Sequence, residues 1–133
     1  MRTKIPVTVH LLFFREDQIL LLRRFNTGFE DGNYSVLAGH LDGDETVQVA
    51  AQREALEEIG VHIHIEDVVF ANVMHRKSDD ERVDFFVYIK AWNGGPFNAE
   101  PDKCDESRWC IVNALPENAT PPKSLETASL PYI

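Results

Sequence analysis

The sequence has few cysteines, little positive charge and no long apolar run, and each shortage excludes a class of protein. Two cysteines, Cys104 and Cys110, are too few for a disulfide framework, and their spacing fits no zinc-binding pattern, so we interpret them as buried or idle thiols. Lysine and arginine total 13 against 22 aspartates and glutamates, which gives a net charge of −9. Because binding to extended nucleic acid requires clustered positive charge, we do not expect that partner.

The chain also lacks the features of membrane and secreted proteins. No apolar stretch approaches the roughly 18 residues that cross a membrane, and the first residues do not resemble a secretion signal. We therefore expect a cytoplasmic protein with no membrane partner. A chain of 133 residues suits one domain with an adequate core, so residues 1–133 are predicted to form a single domain.

Apolar segments separated by polar turns predict an α/β protein. Two pairs of apolar runs each flank a short polar stretch, a pattern typical of β-hairpins. The predicted strands cover residues 5–14, 18–24, 61–65, 68–76 and 82–92, with a last strand around Trp109. From Asn118 onward the chain has room for one modest helix. This order of elements favours a mixed β-sheet packed between helices, an α/β/α sandwich.

The most informative segment is a predicted helix that begins at Glu45 or Thr46 and ends before Gly60. At about 3.6 residues per turn, Glu54, Glu57 and Glu58 stand at i, i+3 and i+4 and share one face of it. Carboxylates so close repel one another unless a cation lies between them. Hard oxygen ligands suit Mg²⁺ or Mn²⁺, which often bridge to substrate phosphates. The alternative is an acidic, solvated helix that binds nothing.

The whole segment fits one spaced pattern, Gly-x5-Glu-x7-Arg-Glu-U-x-Glu-Glu-x-Gly-U, in which U is an apolar residue. The residues that fill it are Gly39, Glu45, Arg53, Glu54, Ala55, Glu57, Glu58, Gly60 and Val61. This pattern is the Nudix box, so the chain resembles a Nudix (MutT-like) hydrolase. The similarity extends from Ile5 to Pro116. Leu37 departs from it, because the family more often has proline there.

The resemblance implies the Nudix fold and a metal-dependent pyrophosphohydrolase with Mg²⁺ as cofactor, for which Mn²⁺ can substitute. It makes Glu54, Glu57 and Glu58 the metal ligands, with Arg53 orienting Glu57. Relatives take their general base from this helix or from a later loop. Glu54 is our first choice for that base, and the loop candidates are Glu100 and Glu106. The residues predicted to contact the substrate are Gly39, His40, Arg24 and Glu106.

The substrate itself stays open at this point. Nudix subfamilies that act on ADP-ribose or dinucleoside polyphosphates carry marker residues after the box, and residues 75–80 hold neither marker. A nucleoside triphosphate, cleaved to a nucleoside monophosphate and pyrophosphate, is therefore the leading substrate class. The alternatives are a nucleotide sugar, a dinucleotide or a capped RNA end, and a non-catalytic domain that binds a nucleotide or a protein. A base could stack on Phe29, Tyr34 or Phe86, and the long strands could pair two copies into a homodimer.

Overall fold

The computed structural model describes residues 2–26, 31–77 and 79–119, and this part of the chain forms seven strands and one α-helix. The elements are β1 Val7–Arg15, β2 Gln18–Arg24, β3 Tyr34–Ser35, β4 Leu37–His40, α1 Val47–Ile59, β5 Val68–Lys77, β6 Glu81–Ile89 and β7 Cys104–Ile111. Short 3-10 turns cover Ile65–Asp67 and Val112–Ala114. The modest helix predicted beyond Asn118 falls on residues outside the described ranges.

The strands form one mixed sheet with β1 at its centre. β1 runs parallel to β6 on one side, with Val7 opposite Val83 and Phe13 opposite Ile89. On its other side, the first half of β1 pairs antiparallel with β4, and its last two residues pair with β2. β5 lies antiparallel to β6, while β2 pairs with both β3 and β7. The predicted mixed sheet and α/β class are confirmed.

The sheet is buried on both faces near its centre, because β1 is apolar in both directions. Leu11 and Phe13 point to the face that α1 covers, whereas Leu12 points to the opposite face, and all three are 0% exposed. The layer on the α1 side includes Ala51, Ala55, Ile59, Leu37 and Val87. The opposite layer includes Ile19, Leu21, Tyr34, Val36 and Cys110. Apolar residues on both faces are typical of a central strand with a parallel neighbour.

The hairpin predicted between the first two strands is confirmed, with Glu16 at a positive φ of 57° in its turn. The strand predicted over 61–65 is wrong. His62 and His64 are exposed and Val61 and Ile63 are buried, as the alternation requires. However, only His62 forms a bridge, to Asn93, because the chain turns away at Gly94, whose φ is 105°. Within the described ranges, no helix is long and apolar enough to cross a membrane.

Candidate active site

The ends of α1 are fixed by local hydrogen bonds. Thr46 is the N-cap residue, and its hydroxyl accepts a hydrogen bond of 3.2 Å from the backbone N–H of Val49. Gly60 follows the last turn with a φ of 69°, and its N–H donates to backbone carbonyls of that turn. A left-handed C-cap of this kind is favourable for glycine. Both predicted ends of the helix are therefore confirmed.

Glu54 lies between α1 and the sheet rather than in solvent. Glu54 is 8% exposed, and its carboxyl group fills the space above Gly39 of β4. A Cβ built on Gly39 would stand 2.0 Å from Glu54 Cδ. A glycine at this position therefore makes room for the first of the three predicted metal ligands.

Arg53 connects the charged residues of the site. Its guanidinium contacts Glu45 through two hydrogen bonds, Nε to Oε2 at 3.2 Å and Nη2 to Oε1 at 2.7 Å. It also donates to Glu54 Oε1 at 2.6 Å and to the His40 carbonyl at 3.0 Å. The contact with Glu57 Oε2 is the longest of these, at 3.4 Å. Arg53 therefore reaches Glu57, the residue that it is predicted to orient, and it makes shorter contacts with Glu54 and Glu45.

The partners of Arg53 also explain the electrostatics on this side of the helix. Hydrogen bonds to Glu45 and Glu54 raise the pKa of the Arg53 guanidinium, and the same contact lowers the pKa of Glu45. Burial raises the pKa of Glu54, and its hydrogen bond from Arg53 offsets only part of that rise. One sequence signal indicates this role of Glu45, its fixed place in the spaced pattern, whereas its position before α1 indicates only a residue that opens the helix.

Glu58 is half-buried, and one of its carboxylate oxygens is shielded from solvent. Its Oε2 is buried, and the described residues offer it no hydrogen-bond partner. Burial raises the pKa of Glu58 well above its ordinary value, and the charges of Glu54 and Glu100 raise it further. A buried carboxylate in this situation is costly unless a positive charge compensates it.

The donor atoms of Glu54, Glu57 and Glu58 fit a hard divalent cation. All of them are carboxylate oxygens, which such ions prefer. One of them, Glu58 Oε2, is buried without a hydrogen-bond partner. A positive ion would also relieve the repulsion between the three carboxylates. In the described part of the chain, no three acidic, histidine or cysteine side chains already stand close enough to enclose an ion. The side chain of Glu57 is 52% exposed, so among the three predicted ligands it has the most freedom to move.

The structure separates the two loop candidates for the general base. Glu100 lies in the loop before β7, where its charge acts on Glu58 and the backbone N–H of Ala99 donates to the Glu58 carbonyl at 3.0 Å. Glu106 lies in β7, on the sheet face opposite α1. There it accepts a hydrogen bond of 2.6 Å from the Tyr34 hydroxyl. This position does not support Glu106 as a general base, because the α1 carboxylates lie on the other face of the sheet.

The predicted substrate contacts divide between the two faces of the sheet. Arg24 is two residues after Leu22, which packs on the α1 side, so strand alternation places Arg24 on the same face as the carboxylates. His40 is exposed at the end of β4, and its ring lies 3.5 Å from the Thr8 hydroxyl. Gly39, the residue before His40, faces α1 and lies against Glu54, so strand alternation turns the His40 side chain to the opposite face.

The structure also tests the aromatic residues proposed to stack on a base. Phe86 is 0% exposed and stacks on the His10 ring, so it is core and cannot receive a base. Tyr34 is 5% exposed, and its hydroxyl is bonded to Glu106, so its ring face is not open either. Phe29 lies outside the described residues.

Sequence reasoning missed a second polar cluster, on the face opposite α1. Asp84 of β6 is 1% exposed, and its carboxylate contacts His10 Nε2 at 3.0 Å. The Nε atoms of Arg76 and Arg82 lie 3.0 and 3.3 Å from its Oδ2. The only available signal was an aspartate within an apolar strand.

Comparisons with known proteins agree on one family. A family model described as NUDIX domain matches residues 4–128. A protein of Stutzerimonas stutzeri named NAD-capped RNA hydrolase NudC is 30% identical over 106 residues, 80% of this chain and 36% of the relative. The chain thus spans little more than a third of the length of the curated relatives it matches, 36% and 38% for two of them.

Solved structures show the same architecture. The MutT NUDIX hydrolase from Burkholderia pseudomallei superposes with a TM-score of 0.83 at 25% identity, over 93% of this chain and 98% of that one. The E. coli ORF135 protein superposes with a TM-score of 0.76 at 20% identity, over 92% and 87% of the two chains.

Proposed function

Because the chain belongs to the Nudix hydrolase family, we propose that it hydrolyses a phosphoanhydride bond in a nucleoside diphosphate linked to a further group. Mg²⁺ is the proposed cofactor, with Mn²⁺ as a substitute. The leading substrate class is a nucleoside triphosphate, cleaved to a nucleoside monophosphate and pyrophosphate. The observation that carries the proposal is the buried, unpartnered oxygen of Glu58 beside two further carboxylates. Such a group is stabilised by a cation, and a cation attracts a polyphosphate.

Glu54, Glu57 and Glu58 are the proposed ligands of the ion. When bound, the cation supplies charge neutralisation to the anhydride oxygens and assists the activation of water. The net charge of −9 does not prevent polyphosphate binding in this scheme, because the attraction comes from the ion. The proposed contacts to the phosphate chain are Arg24, which strand alternation places on the same face, and His40, whose backbone carbonyl accepts a hydrogen bond of 3.0 Å from Arg53.

Glu54 is the proposed general base. Arg53 holds one of its carboxylate oxygens at 2.6 Å, which fixes the rotamer of the side chain. Burial raises the pKa of Glu54 above its ordinary value, which makes its carboxylate a stronger base. In the proposed step, a water oxygen attacks phosphorus, its proton passes to Glu54, and the leaving phosphate takes the electrons of the broken P–O bond. Glu100 is the alternative base, because its charge acts on Glu58 and the neighbouring Ala99 N–H is bonded to the Glu58 carbonyl.

The curated relatives favour a second candidate, hydrolysis of a dinucleotide such as NAD or of an RNA end capped with it. The same carboxylates would serve, since the scissile bond is again a phosphoanhydride. An extended RNA would meet a protein of net charge −9, so the free dinucleotide is the form that the charge favours. A domain that only binds nucleotides has no evident need for the complete set of carboxylates, which argues against the non-catalytic alternative.

A substrate panel tests these proposals. Nucleoside triphosphates, NAD, nucleotide sugars and NAD-capped RNA are incubated with the protein and Mg²⁺, and products are separated by chromatography. A nucleoside monophosphate with pyrophosphate supports the first proposal, and AMP with nicotinamide mononucleotide from NAD supports the second. The Glu57→Gln variant is the matched control for contaminating hydrolases. Absence of any product, with nucleotide binding retained, would contradict an enzymatic role.

A further inference from the structure

The loop before β7 is attached to the C-terminal end of α1. The backbone N–H of Phe97 donates to the Ile59 carbonyl at 3.0 Å, and the N–H of Ala99 donates to the Glu58 carbonyl at 3.0 Å. These two bonds satisfy carbonyls that a helix end leaves without intrahelical partners. The Phe97 ring lies against Gly60, where a Cβ would stand 2.1 Å from the ring. The loop is therefore held at the helix end that carries Glu58.

Asn98 braces this loop from within. Its Oδ1 accepts a hydrogen bond of 3.1 Å from the backbone N–H of Glu100, and its Nδ2 donates to the Cys104 carbonyl. The Glu100 carbonyl in turn accepts from the N–H groups of Lys103 and Cys104, each at 3.0 Å. One amide side chain thus links both ends of the turn in which Glu100 stands.

We propose that Asn98 is a positioning residue that holds the Glu100 carboxylate against Glu58 and so makes Glu100 part of the working site. This inference rests on the proposed function, since it assigns a role within the same site. The contacts support it because Asn98 bonds the backbone of Glu100 on one side and the start of β7 on the other, while Ala99 between them is bonded to Glu58. Lys103 Nζ lies 3.8 Å from Glu100 Oε2, too far to fix that carboxylate by itself.

A double-mutant cycle separates positioning from general stabilisation. The variants are Asn98→Ala, Glu100→Gln and the double variant, and the readouts are the Mn²⁺ dissociation constant by calorimetry without nucleotide, and kcat. We expect Glu100→Gln to weaken Mn²⁺ binding about tenfold, since a negative charge beside the ion is lost. Asn98→Ala should weaken it by up to the same factor. In the Glu100→Gln background, Asn98→Ala should have no further effect, because residues that act through one another are not additive.

Gln52→Ala is the matched control. The side-chain amide of Gln52, a residue of α1, donates to the Ile63 carbonyl at 3.0 Å, so its removal deletes a similar bond to a backbone carbonyl. It should lower Tm by a similar amount and leave Mn²⁺ affinity unchanged. If Asn98→Ala does not fold, Asn98→Asp serves instead, since it keeps the acceptor for Glu100 and loses the donor to Cys104.

Two results would overturn the inference: additive losses in the cycle, or an unchanged Mn²⁺ affinity in Glu100→Gln. The Mn²⁺ measurement needs no substrate, so an inactive substrate panel would refute the proposed reaction while leaving this test intact.

Discussion

Gly39 of β4 and Glu54 of α1 occupy adjoining space with no room for a methyl group between them. A Cβ on Gly39 would lie 2.0 Å from Glu54 Cδ and 2.1 Å from its Oε1. Gly39 pairs with Val9 in the sheet, so its backbone cannot retreat without disturbing the central strand. The glycine is therefore required by the position of the carboxyl group rather than by an unusual backbone angle.

The Gly39→Ala substitution should consequently displace the Glu54 carboxylate. Because a shift of about 1 Å in a catalytic group can cost on the order of 100-fold, we expect kcat/KM to fall by about that factor. The control is Gly43→Ala in the following loop, where a Cβ would find no described atom within 4 Å. Steady-state kinetics of both variants checks this. Normal activity in Gly39→Ala would show that the place of Glu54 does not matter to the reaction.

The Glu57→Gln substitution should lower turnover with little effect on folding. The amide keeps the size of the side chain but removes one proposed ligand charge, and loss of one such stabilising group typically costs about 100- to 1,000-fold in kcat. Its side chain is 52% exposed, so the free energy of unfolding should change by less than about 0.5 kcal/mol. Glu66→Gln, in the exposed 3-10 turn, is the control for both readouts. Near-normal turnover with Mg²⁺ would contradict the assignment of Glu57.

The Glu58→Gln substitution should have opposite effects with and without metal. The folded protein raises the pKa of Glu58 above its ordinary value of 4.5, through burial and then the charges of Glu54 and Glu100. A raised carboxyl pKa favours the protonated folded state, so stability is lost as pH rises through the interval above 4.5. At neutral pH in EDTA, Glu58→Gln removes this penalty, and its Tm should exceed that of the wild type.

Mn²⁺ should have the opposite effect, because the Glu58→Gln variant lacks one of the proposed ligands and gains less from the ion. The rise in Tm on adding Mn²⁺ should be smaller in Glu58→Gln than in the wild type, since stabilisation by a ligand follows its affinity. Differential scanning fluorimetry with and without the ion measures both quantities. A variant that is less stable in EDTA, or that keeps the full Mn²⁺ response, would count against a cation site at Glu58.

The family, the α/β fold and the bounds of α1 could be predicted from local sequence, because spacing, Thr46 and Gly60 act within a few residues of the helix. The contacts of Arg53 with Glu45 and with the His40 carbonyl could not be predicted, since they depend on how β4 and its loop meet the helix. The face of the sheet on which Glu106 lies could not be predicted from the sequence either. A register shift between Arg23 and Arg24, where β2 pairs with β7, sets it, and such irregularities arise from strand pairing rather than from local sequence.

The contacts of Asp84 could not be predicted either, because His10 comes from β1, which is distant in sequence, and strand pairing brings Arg76 of β5 beside it. Burial alone would raise its pKa, but the hydrogen bond from His10 and the charges of Arg82 and Arg76 outweigh this effect and lower the pKa below 3.8. Arg76 and Arg82 are cross-strand partners, so Asp84 separates two like charges. The buried carboxylate therefore has a structural role on the face opposite the proposed site.

The Asp84→Asn substitution should destabilise the protein at neutral pH by about 3 kcal/mol, because it leaves two arginines facing each other without a buried counter-charge. A lowered folded-state pKa contributes stability that is complete above pH 3.8 and is lost as pH falls through that lowered value. The difference between wild type and variant should therefore shrink in strong acid. Urea denaturation at pH 7 and pH 3 measures it, with the exposed hairpin variant Asp80→Asn as control. An equal difference at both pH values would mean that Asp84 stabilises through shape rather than through its charge.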